Sequence, residues 1–106
     1  MANFHSGRIQ PKPPEVVEIG DTVAQILPFR YSRAGLTLTN VSENFITIRL
    51  DGTANIDMYS GITLTPGGGV WTMDEYTFTN EKIYARATGA GSTLCIQEFI
   101  DGGTAE

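Results

Sequence analysis

Asp51, Asp57, Asp74 and Glu75 are the residues whose type best suits acid–base chemistry. Two such carboxylates placed either side of a glycosidic bond are what sugar hydrolysis requires. Each of the four falls in or beside a run of turn formers, where acids serve solubility and local hydrogen bonding. "DGTANID" (51–57) carries Asp51, Asn55 and Asp57 but has neither the spacing nor the closing glutamate of an EF-hand loop. Cys95 is the single cysteine, so no intrachain disulfide forms. Set in "TLCIQEF" between Leu94 and Ile96, it reads as a half-buried strand thiol. A nucleophilic thiol needs a histidine beside it, and the one histidine, His5, lies near the end of a tail. Asn40-Val41-Ser42 matches the glycosylation sequon by chance, in a chain whose start shows no secretory signal. The expectation is a protein without catalytic residues, cofactor or metal site.

The stretch "ITLTPGGGVWTMDE" (62–75) poses the same question for phosphate. A phosphate-cradling loop puts its glycines between a buried strand and a helix N-terminus. A P-loop also needs Lys-Ser or Lys-Thr directly after them. Here the glycines lead into Val70-Trp71-Thr72-Met73, a β-type run without lysine. Gly67, Gly68 and Gly69 therefore free the backbone to reverse direction. The stretch is expected to be a turn.

The elements that must carry these residues follow a period of two. "TVAQIL" (22–27), "GLTLTN" (35–40), "NFITIRLDG" (44–52), "ITLT" (62–65), "EYTFT" (75–79), "KIYARAT" (82–88) and "TLCIQEFI" (93–100) alternate apolar and polar residues. Turn formers separate them at 41–44, 51–55, 66–69, 79–82 and 89–92. About seven or eight short strands at such spacing predict an all-β antiparallel sandwich, jelly-roll or immunoglobulin-like. A chain of 106 residues makes one domain and buries roughly 65% of its surface, enough for a core without metal or disulfide.

Residues 1–18 read as an extended arm preceding a sandwich domain over 19–106. Pro11, Pro13 and Pro14 fix φ and remove amide donors, giving polyproline-like or strand-like backbone. Alone, the arm is expected to be loose, and a neighbouring subunit is the natural partner to hold it. No segment has the length or apolarity of a membrane span, and synthesis in a cytoplasm is expected. Net charge is −5, unevenly spread. Arg8, Lys12, Arg30 and Arg33 outweigh Glu15, Glu18 and Asp21 by one charge in residues 1–33, whereas the remainder carries three basic against nine acidic groups. A body that acidic repels phosphate backbones, so nucleic acid is not an expected partner. Tyr31, Tyr59, Trp71, Tyr76 and Tyr84 are candidate contact aromatics, able to anchor a protein or stack on sugar rings. Trp71 alternates with Val70, so one of the two faces away from the core.

Three stretches carry a resemblance: "RAGLTLTNVSENFITIRLDG", "GITLTPGGGVWTM" and "KIYARATGAGSTLCIQEF". This succession of strands and turns, over roughly residues 33–99, resembles small β-sandwich virion proteins of tailed bacteriophages. The resemblance implies a structural protein, foremost a capsid decoration (cement) protein bridging capsomers on the virion exterior as a small homo-oligomer. It would bind the major capsid protein or other virion proteins, with neither membrane nor nucleic acid as partner. The arm would act as clamp by strand addition to a partner's sheet. Arg8, Lys12, Pro13, Pro14, Arg30, Arg33 and Trp71 would then be the interface residues, the cations facing acidic capsid patches. A head–tail, fibre or baseplate module is the alternative, with host carbohydrate read by exposed aromatics.

Overall fold

A computed structural model describes residues 8–102. His5 and the first seven residues of the arm lie outside that range. Among these residues, alternating side chains build nine strands: β1 (Ile9–Pro11), β2 (Glu15–Ile19), β3 (Ala24–Leu27), β4 (Arg33–Asn40), β5 (Ile46–Arg49), β6 (Ile62–Leu64), β7 (Gly69–Thr72), β8 (Ile83–Ala87) and β9 (Ser92–Asp101). The inward residues are those the alternation selects. Leu36 and Leu38 of β4, Ile46 and Ile48 of β5, Ile83, Ala85 and Ala87 of β8, and Leu94 and Ile96 of β9 are all buried. With Ile19, Leu27, Leu64 and Met73 they form one continuous core. Burying a Leu or Ile side chain of this kind contributes about 1.5–3 kcal/mol.

The pairing pattern settles the choice of sandwich. β2 pairs with β9, β3 with β8, β4 with β7 and β5 with β6, all antiparallel. β2 to β5 thus meet β6 to β9 in reverse order, as in one long hairpin. Winding that hairpin about an axis adds β4·β9 and β5·β8 and divides it into two sheets. Their orders are β1/β2-β9-β4-β7 and β3-β8-β5-β6. This is the jelly roll, and the immunoglobulin-like alternative is set aside.

Two expectations are corrected here. The arm, within the described residues, is an edge strand of its own sheet: Ile9–Pro11 and Glu15–Ile19 run along β9 in one register direction. Pro13 and Pro14 interrupt it without ending it, because an edge strand tolerates missing donors on its outer side. Lys12 bridges the gap, its amide donating to the Glu98 carbonyl at 2.8 Å and its carbonyl accepting from the Gln97 side chain. Alternation in the arm is short and broken by prolines, which is why it read as a loose tail. The second correction is "EYTFT" (75–79), which forms no strand. Asp74 Oδ1 accepts from the amides of Tyr76 at 2.9 Å and Thr77 at 3.0 Å, closing a turn that β-propensity does not register.

Candidate interaction surface

In a rolled hairpin, successive connections alternate between the two ends of the sandwich. One end carries the segments 20–23, 41–45, 65–68 and 88–91, all tight; the other carries 28–32, 50–61 and 73–82. The tight end is closed by internal hydrogen bonds. Gly67, at φ +73°, donates its amide to the Ser42 carbonyl at 2.9 Å, and Gly68, at φ +113°, donates to that of Asn40 at 2.8 Å. The amides a phosphate would need are consumed, and the turn carries the chain from one sheet to the other. Asn40 is fully buried: its Nδ2 donates to the carbonyls of Asn44 at 2.7 Å and Leu64 at 3.0 Å, while its Oδ1 accepts from Ser42 Oγ at 2.7 Å. The sequon asparagine is a structural lock.

Segment 50–61 does not project. It folds back over the outer face of the β3-β8-β5-β6 sheet and buries Thr47, a residue that alternation points to solvent. Arg86 Nη1 donates to the Ile56 carbonyl at 2.9 Å and Arg49 Nη1 to that of Asn55 at 3.0 Å. The Tyr59 amide donates to Thr47 Oγ1 at 3.1 Å, and the Tyr59 ring meets Phe45 edge-on at 5.8 Å. Ile48, Arg49, Leu50, Asp51, Gly61 and Ile62 line a shallow, open depression beside this loop.

Segments 28–32 and 73–82 form the remainder of the long-loop end. A cluster of charges holds them from inside. Arg33, whose side chain is 0% exposed, donates from Nε to Glu98 Oε2 at 2.8 Å. Its Nη1 reaches the carbonyls of Thr79 at 3.1 Å and Glu81 at 2.9 Å, and its Nη2 that of Pro28 at 2.7 Å. One guanidinium thus ties both loops to β9, a task its planar fork suits. Arg30 Nε shares the same Glu98 oxygen at 3.2 Å. Asn80 completes the brace: its carbonyl accepts from the Arg30 amide at 2.9 Å, and its Nδ2 donates to the carbonyls of Arg30 at 2.9 Å and Tyr31 at 3.1 Å. Above this brace stand four exposed aromatics: Phe29, Tyr31, Phe78 and Tyr76, the last 88% exposed. Tyr31 and Tyr76 were legible as candidates; Phe29 and Phe78 were missed, Phe78 because it was assigned to a strand.

The interface residues named from sequence do not come together. Arg33 is withdrawn from the surface, and Arg30 is largely so, because both neutralise Glu98 and bind loop carbonyls. A buried cation without such partners would be prohibitively costly, so burial and pairing arise together. Trp71 pairs with Leu38 and packs against the core, leaving Val70 as the outward member of the pair. Arg8 is exposed and pairs with Asp101 at 3.4 Å; Lys12 is half-buried, and Pro13 and Pro14 are exposed on the arm edge.

Asp51 and Asp74, two of the carboxylates singled out for hydrolysis, are each engaged in a turn of their own. Asp51 Oδ2 accepts from Arg49 Nη2 at 2.6 Å, and its Oδ1 accepts from the Thr53 amide at 3.2 Å. The Arg49 hydrogen bond first, then the Thr53 amide, hold its pKa down to about 2. Asp74 is also held below the usual carboxylate range, by the Tyr76 amide first and then the Thr77 hydroxyl. A general acid requires a shift in the opposite direction. Both aspartates cap turns. Cys95 is half-buried on β9, as expected. Among the described residues no group of three or more His, Cys, Asp or Glu is arranged to hold a metal ion, and no helix is long and apolar enough to cross a membrane.

No family model matches the chain, and no curated protein matches it. A solved structure of Bacillus endospore appendages, described as a novel family of disulfide-linked pili, is similar at a TM-score of 0.53 and 14% identity, over 89% of this chain and 88% of that one. At that identity the likeness is one of fold, and the fold it supports is the β-sandwich described above.

Proposed function

We propose that this protein is a structural subunit of a large extracellular assembly, acting through protein contacts. The observation that carries the reading is the long-loop end: four exposed aromatics on two loops that a buried Arg33–Glu98–Arg30 cluster fixes in place. Interfaces are anchored by such rigid aromatics, which lose little conformational entropy on binding. That a pilus-forming protein shares the fold supports the class by analogy only. The finer reading is a decoration protein on the capsid exterior of a tailed phage, bound to the major capsid protein and bridging capsomers. It rests on the resemblance of residues 33–99 to such proteins. Because residues 8–19 are committed to this chain's own sheet, the capsid contact is assigned to the long-loop end rather than to the arm. A filament subunit or a head–tail, fibre or baseplate module is the second form of the same reading.

Quantitative mass spectrometry of purified particles, against the major capsid protein, tests it. A copy number in ratio with the capsid lattice is expected. A few copies per particle would move the protein to the portal, tail or fibre, and absence from particles would overturn the virion reading.

A further inference from the structure

The chemistry at the long-loop end says what kind of surface it meets. Phe29 and Tyr31 flank Arg30 on one loop, and Tyr76 and Phe78 precede Asn80 on the other, with Arg30 and Asn80 hydrogen-bonded to each other. The four rings therefore belong to one end of the molecule. Four polar side chains beside them, Asp74, Thr77, Thr79 and Asn80, are engaged internally. Asn80 Nδ2 serves three carbonyls, of Arg30, Tyr31 and Arg33. Asp74 Oδ1 caps its turn, Thr77 Oγ1 donates to it, and Thr79 Oγ1 accepts from the Glu81 amide. What remains outward is aromatic rings and charge, and the charge has a sign. The 73–82 loop carries Asp74, Glu75 and Glu81 against Lys82, all exposed, while Arg30 and Arg33 are turned inward onto Glu98, and Arg8 and Arg49 of the same end pair with Asp101 and Asp51. A second copy of this face would oppose like charges.

We propose that the long-loop end docks on a basic protein surface. Phe29, Tyr31, Tyr76 and Phe78 take the apolar stems and cationic heads of the partner's arginines and lysines, and Glu75 and Glu81 pair with their charges. This deepens the assembly reading and rests on it, and it reverses the polarity expected from sequence: the partner's patch is basic, not acidic. Charge of this kind chiefly sets specificity and encounter rate, while the rings supply the desolvated contact.

The test is titration of the full chain with a hexa-arginine peptide, followed by amide chemical shifts. Shifts confined to residues 28–32 and 73–82, absent with a hexaglutamate peptide, are expected. Tyr76→Ala and Phe78→Ala, with chemical-shift dispersion unchanged elsewhere, should each weaken binding about two- to five-fold. The pair Glu75→Lys with Glu81→Lys should remove it. Shifts outside these loops, no shifts, or equal binding by the charge-reversed variant would overturn the proposal, as would a neutral oligosaccharide shifting the same loops where hexa-arginine does not. Particles separate this inference from the broader one. Particle association by the charge-reversed protein as strong as the wild type's would overturn the docking face and leave the structural role standing. A wild type absent from particles would remove that role and leave the peptide titration to decide the chemistry of the face.

Discussion

Arg33→Ala removes a side chain that joins β9 to the 28–32 and 73–82 loops. Four acceptors lose a donor: Glu98 Oε2 and the carbonyls of Pro28, Thr79 and Glu81. Breaking a buried pair by deleting one partner costs about 3–5 kcal/mol, because the remaining charge stays desolvated. Glu98 is only 4% exposed, but Arg30 still reaches it at 3.2 Å and offsets part of that loss. Each carbonyl left without a donor adds about 1–3 kcal/mol unless the loops open to water. Loop opening caps the total, so the expected cost is about 3–5 kcal/mol, against a stability of about 5–15 kcal/mol for a domain of this kind. Melting should fall by on the order of 15–25 °C. Arg33→Lys keeps the charge but replaces a planar fork with a point donor, and should recover less than half of the loss. Arg30→Ala, at a side chain 17% exposed with a longer contact, should cost about 1 kcal/mol. Urea unfolding of the three variants reads these costs from the midpoint at constant slope. If Arg33→Ala and Arg30→Ala cost the same, or if Arg33→Lys is neutral, the brace is not what holds this end together.

Two further predictions follow from the turns and the arm. Asp51, held to about 2 against an ordinary 3.8, and Asp74, also lowered, contribute stability that is complete above their unfolded values and is lost as pH falls through their folded ones. Unfolding midpoints should therefore decline between about pH 4 and 2. The double variant Asp51→Asn, Asp74→Asn should flatten that slope by lowering the neutral-pH midpoint toward the acid one; an unaltered slope would assign the acid sensitivity elsewhere. Deleting residues 1–18 strips the five-residue β2 pairing down to Ile19 and leaves the β9 edge unpaired. The truncated protein should melt lower and self-associate through that edge, visible as concentration-dependent sedimentation. A monomer of unchanged stability would show that the arm contributes nothing to its sheet.

What the sequence disclosed was whatever repeats every second residue. Leu36 and Leu38, Ile83, Ala85 and Ala87, and Leu94 and Ile96 sit where alternation places them, because register on a half-buried sheet is fixed by its apolar face. The failures have a common cause, which is interactions that span the chain. Nothing local to Arg33 announces Glu98, sixty-five residues away, so a strand-initial arginine read as a surface charge. Alternation puts Thr47 on the face opposite the core, and only segment 50–61, folded over it, makes it buried. Tyr59 is the one non-glycine among the described residues at positive φ, +66°, a conformation that a tyrosine adopts only under tertiary constraint. "EYTFT" failed in the other direction: its strand propensity is real, but one aspartate directly before it offers the backbone a competing set of hydrogen bonds.

The winding of the hairpin explains why contact chemistry gathers where it does. Strands that alternate in direction send their connections alternately to two ends, and in this chain one end received only the tight turns. Those turns are bound by their own geometry: Gly69, for instance, has no room for a side chain, since a Cβ there would lie 2.5 Å from the Thr65 backbone. Such an end cannot change composition without disturbing the strand crossing beneath it. The opposite end is held by side chains that reach up from the sheets, Arg33 and Glu98 above all. That leaves the outward residues of 28–32 and 73–82 unconstrained by the fold. Four large aromatics in such positions lie outside the core, and exposing them carries a cost in solubility. Their exposure above loops that are already satisfied internally is the physical ground for proposing a partner for them.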